Sequence, residues 1–74
     1  MSQTIAFYPV KTDEGWAVAE FREHVPGYEI QPQFTALARE SAEFRANELN
    51  AELGISDRDV QRIVTNALEQ SDAA

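Results

Sequence analysis

"YPVKTDEGWAVAEF", residues 8–21, decides the fold. It reads as two short strands folded back on a polar turn. The first strand begins upstream at Thr4 and runs to Val10, with Ile5 and Phe7 on one face and Tyr8 and Val10 on the other. Pro9 has no N–H to give a ladder, so this strand belongs at a sheet edge. "KTDEG" supplies the turn, with Gly15 available for a left-handed position. Trp16–Phe21 forms the second strand and alternates Trp16, Val18 and Glu20 against Ala17, Ala19 and Phe21. Small alanines between large residues suit a face over which a helix lies. Trp16, the only tryptophan, belongs either to the core or to a contact surface, and the sequence leaves that open.

Downstream, "REHVPG" at 22–27 is a connection, and Val25-Pro26-Gly27-Tyr28 has the residues of a type II turn. A third short strand over Tyr28–Gln31 stops at Pro32. From Thr35 the apolar period changes. Thr35 is the expected cap of a helix from Ala36 to about Leu53, ended by Gly54 in a left-handed conformation. Its stripe (Leu37, Ala38, Ala42, Phe44, Leu49 and Leu53) is rich in alanine, and its other face carries Arg39, Glu40, Glu43 and Glu48. The last helix has the clearest start. Ser56 and Asp59 fit a capping box, and Ile55 and Val60 flank it as a hydrophobic staple. Val60, Ile63, Val64, Ala67 and Leu68 then follow the spacing of an amphipathic helix.

The predicted fold is α+β: a small antiparallel sheet of two or three strands with two helices packed on one face, in the order β-β-(β)-α-α. Residues 1–70 make one domain, and 71–74 should fray. The expected core is Ile5, Phe7, Val18, Phe21, Ile30, Phe34, Leu37, Phe44, Leu49, Leu53, Ile55, Val60, Ile63, Val64 and Leu68.

The chain has 74 residues, close to the smallest size that folds alone, so its core is thin. A substrate cavity would compete with that core for the same few apolar side chains. There is no cysteine, hence no disulfide framework and no thiolate metal site, which fits a reducing, cytoplasmic setting. No apolar run approaches the roughly 20 residues of a membrane span, and "MSQTIAF" has no positive segment of a secretion signal. Thirteen acidic residues against six basic ones give a net charge of −7. Such a field repels phosphate backbones and attracts basic protein surfaces.

Catalytic groups are not apparent. His24, the one histidine, follows Glu23 in a loop, where adjacent side chains usually point apart. Asp57 and Asp59 are explained by the positive end of a helix dipole, without a metal. The single glycines in "DEG" and "PGYEIQP" make no phosphate-cradling loop. The expectation is a protein with no enzymatic activity, no metal and no cofactor.

Two stretches resemble known families. "YPV" at 8–10, "EGWAVAEF" at 14–21 and "PGYEI" at 26–30, followed by a helix, resemble the N-terminal module of HicB-type antitoxins. Those antitoxins bind a small basic RNA-cleaving toxin and cover its active surface. The resemblance implies that Trp16, Tyr28, Glu14, Glu20 and Glu23 would face such a partner. Where the family continues with another strand, this chain runs into "GISDRDVQRIV". The segment from Glu48 to Val64 resembles a helix-turn-helix, with Leu49, Leu53, Gly54, Ile55, Val60 and Ile63 at its apolar and turn positions. That resemblance implies a helix in the major groove, with Arg58, Gln61 and Arg62 toward bases and phosphates.

Three functions follow. The first is an acidic protein-binding module that docks on and inhibits a basic, nucleic-acid-handling protein, as antitoxins and phage-type inhibitors do. The second is an acidic mimic of a nucleic-acid backbone that blocks a nuclease or a CRISPR effector. The third is DNA binding through the second half, which Asp57, Asp59 and the net charge oppose. The apolar last helix also leaves surface that a homodimer could bury.

Overall fold

A computed structural model of the chain describes residues 4–72. The element order is β1 (Ile5–Thr12), β2 (Gly15–Arg22), β3 (Glu29–Ile30), α1 (Arg39–Leu53) and α2 (Asp57–Asp72). The strands form one antiparallel sheet in the order β1-β2-β3, so the α+β class and the element order are as the sequence predicts. The helix α2 runs on through Asp72; of the tail expected to fray, Ala73 and Ala74 lie outside the described residues.

The hairpin follows from its turn chemistry. The register pairs Thr12 with Gly15, Tyr8 with Ala19 and Ala6 with Phe21. Thr12 Oγ1 donates to the Gly15 carbonyl at 3.2 Å and accepts from the Glu14 N–H at 3.3 Å. Gly15 has φ 133°, and a Cβ built on it would stand 3.1 Å from the Leu37 carbonyl oxygen. Only glycine satisfies both conditions.

The middle strand β2 is bonded along both sides. Beyond the two residues of β3, its second side is completed by the loop that follows. Gln31 N–H donates to Val18 O at 2.9 Å, Val18 N–H to Phe34 O at 3.0 Å, and Trp16 and Leu37 exchange two bonds of 2.9 and 2.8 Å. This pairing corrects the expected start of the first helix. Leu37 is held extended against Trp16 and Ala36 sits at φ 54°, so α1 begins at Arg39. Its N-cap is Ala38, with no side-chain cap bond, and Thr35 does not cap it. The other end is as expected: Gly54 has φ 71° and its N–H meets the Ala51 carbonyl at 3.1 Å.

The α2 start also matches. Ser56 Oγ accepts from the Asp59 N–H at 3.2 Å, and Ile55 packs against the cluster that holds Val60. Val60, Ile63, Val64 and Ala67 are buried against Ala6, Ala19 and Phe21 of the sheet. The Gly27 N–H bonds the Ala67 carbonyl at 3.1 Å and ties the β2–β3 connection to this helix. Gly27 itself has φ 77°, the left-handed position expected of it.

The core differs from expectation in kind. Ala6, Ala17, Ala19, Ala42, Ala46 and Ala67 are buried, while Phe44 is 63% and Leu53 55% exposed. Leu68 is also open to solvent, and Ile5, Phe7, Ile30, Phe34, Leu37, Leu49 and Ile55 are half-buried. The geometry of α1 explains this. Its buried line is Ala42, Ala46 and Asn50, four residues apart, and at ~100° per residue Phe44 points away from that line. Leu53 occupies the last turn, beside Gly54.

Only α2 contributes to the cluster on Ala6, Ala19 and Phe21; the buried residues of α1 lie outside it. Val18, one residue out of phase with Ala19, is equally buried, so the sheet is covered on both faces at its centre. The helices therefore do not share one continuous apolar face.

Candidate partner-binding surface

The two outer edges of the sheet are treated differently. On β1, the Phe7 N–H donates to Asn50 Oδ1 and Asn50 Nδ2 donates to the Phe7 carbonyl, both at 2.8 Å. The Asn50 amide thus stands where a neighbouring strand would. Phe7 pairs with Glu20 and Pro9 with Val18, so both residues turn their backbone groups outward, and at Pro9 there is no donor to leave unsatisfied. Asn50 is the only buried polar residue among those described, and it carries both bonds.

Beside that edge lies a groove of about 370 Å³, lined by Tyr8, Val10, Trp16, Phe21, Tyr28 and Leu68, with Lys11, Arg39 and Glu43 at its rim. Three of its aromatic residues are in contact: Tyr8 meets Phe21 edge-on at 6.5 Å, and Phe21 meets Tyr28 in a tilted arrangement at 5.0 Å. Tyr28 is 44% exposed at the open end. Trp16 is half-buried, and the Arg39 guanidinium lies 5.4 Å from its ring centre. It is a peg for the Leu37 pairing on one side and a groove wall on the other.

The five residues expected at a partner surface divide accordingly. Trp16 and Tyr28 come together in this groove. Tyr28 and Glu20 share a second, smaller hollow of about 280 Å³ with Val25, Pro26 and Glu29. Glu14 stands apart in the hairpin turn, and Glu23 lies at the other end of the sheet, bonded by Arg62 at 2.9 Å. That bond holds the Glu23 carboxyl below its usual 4.5, against the opposing effect of burial, and raises the Arg62 guanidinium. The His24 ring comes within 3.7 Å of Glu23, closer than expected, because the chain turns at His24 with φ 66°; the ring is 82% exposed. Sequence reading missed Tyr8, Val10, Leu68 and Glu29, although their place on strand and helix faces was legible.

The ion pairs are asymmetric. Arg22 binds Glu20, Arg39 binds Glu43, Arg45 binds Glu48, and Arg62 binds Glu23 and Asp59. Among the described residues, Asp13, Glu14, Glu29, Glu40, Glu52, Asp57 and Glu69 make no such pair, and of the cations only Lys11 and Arg58 make none. Arg58 and Gln61 are exposed on α2, and Gln61 lines a further groove of about 340 Å³ with Phe7, Asn50 and Asp57. Within the described residues, no group of three His, Cys, Asp or Glu is placed to hold a metal, and no helix is long and apolar enough to cross a membrane. No protein-family model, curated protein or solved structure matches the chain.

Proposed function

We propose that this chain is a non-enzymatic protein-binding module that docks an acidic, aromatic surface on a basic partner and blocks it. The observation that carries the reading is the charge arrangement. Four of the six cations are engaged by neighbouring carboxylates, so the surplus of negative charge is left at the surface. A surface of that sign steers a basic protein and repels a phosphate backbone. Tyr28 and Leu68 add an apolar anchor of the kind that dominates binding energy at interfaces.

The same charge arrangement weighs against DNA binding. Arg62, one of the three side chains that would read a groove, is bonded to Glu23 and Asp59. A DNA complex would have to break those pairs and then bring Asp57 to the phosphates.

Affinity capture tests the reading. The tagged chain is incubated with lysate of its native host at two salt concentrations, with and without nuclease. A stoichiometric basic protein that survives nuclease and is lost with Tyr28→Ala is the expected result. Recovery of nucleic acid alone, abolished by nuclease, would overturn it and move attention to Arg58 and Gln61.

A further inference from the structure

We propose, building on the protein-binding reading above, that the outer edge of β3 accepts an extended segment of the partner in which apolar and basic residues alternate. The contrast between the two edges carries this. On β1, Asn50 occupies the outward groups of Phe7, and Pro9 removes the next donor. Pro32 likewise removes the next donor beyond Ile30, but on the edge of β3 no side chain takes the place of Asn50. The Gln31 N–H bond to Val18 fixes the alternation, so Glu29 and Gln31 face β2 and Ile30 turns its N–H and C=O outward. No turn, loop or cap bond among the described residues reaches those two groups. An unpaired edge of this kind is a template for an added strand.

The side chains around that edge specify what is added. Glu29 stands directly opposite Glu20 on the neighbouring strand. Like charges so placed are unfavourable. Glu20 is partly neutralised by Arg22 at 2.9 Å, and Glu29 is exposed with no partner. A residue of the added strand opposite Glu29 falls on the same face as both carboxylates, and a Lys or Arg there relieves the opposition. Its two neighbours fall on the other face, beside Tyr28 and Ile30, where apolar side chains fit. A second copy of this chain would instead bring four carboxylates together, so the occupant is a basic segment of another protein.

The test uses the full chain, isotope-labelled, and two acetylated octapeptides, one alternating Val and Arg and the other Val and Glu. The Val/Arg peptide should shift the amide resonances of Tyr28 to Gln31, and the Val/Glu peptide should leave them unmoved. A chemically synthesised chain with an ester in place of the peptide bond before residue 30 lacks the outward N–H, keeps the Ile30 side chain, and weakens within the ladder only the acceptor at the Glu29 carbonyl. It should bind the Val/Arg peptide about five- to tenfold more weakly, and Glu29→Gln should weaken it as well. Equal affinity of the ester chain, or no binding of either peptide, would overturn the strand-acceptor site. Binding that shifts Val10, Trp16 and Leu68 but ignores the ester would do so too, while leaving the protein-binding reading intact.

Discussion

Asn50 does the most for its size. One amide satisfies the donor and the acceptor of Phe7, which would otherwise be partly buried without partners, and it fixes the end of α1 to the sheet. Asn50→Ala should therefore cost about 2 kcal/mol, seen as a lower urea midpoint with an unchanged slope. Nothing in the sequence announced this role, because an asparagine near a helix end looks like a solvated or capping residue. Glu23 offers a second residue-scale check. Its folded pKa is lowered by Arg62, so its contribution is present above the unfolded value and is lost as pH falls through the folded one. Glu23→Gln should lower the melting temperature at neutral pH, and the difference from the parent chain should vanish in strong acid.

At the scale of elements, what was legible is what local chemistry dictates. The hairpin came from Gly15 and the flanking alternation, the end of α1 from Gly54, and α2 from Ser56 and its apolar period. The start of α1 was not legible, because a long-range pairing of Leu37 with Trp16 overrides the local cap at Thr35. The core of α1 was misread for a related reason. Pattern reading looks for large apolar residues, whereas this helix approaches the sheet through Ala42 and Ala46 and leaves Phe44 outside. The structure predicts opposite outcomes for two substitutions there. Ala38→Ser, which supplies the missing cap, should raise stability by about 1 kcal/mol. Ala46→Leu, which overfills the contact, should lower it by about 1–3 kcal/mol. Thermal unfolding of both reads the result. Of the candidate site, the aromatic members Trp16 and Tyr28 were named through the resemblance to HicB-type antitoxins, not from the residue pattern alone. Their shared groove with Leu68 was not legible, since it depends on how α2 docks at Ala67 against the Gly27 loop.

On the scale of the whole molecule, the sheet is closed on one side and open on the other. The closed side, at β1, is secured by Asn50 and Pro9. The open side, at β3, lies next to Tyr28 and the unpaired Glu29, and it is there that the proposed basic segment would find outward backbone groups and negative charge together. Hydrogen exchange of the individual backbone amides tests this asymmetry most directly, before any partner is known. Phe7, although on an outermost strand, should exchange slowly, and Asn50→Ala should abolish its protection. Ile30 should exchange fast in both chains. A protected Ile30 amide, or a Phe7 amide that exchanges freely in the parent chain, would contradict the account.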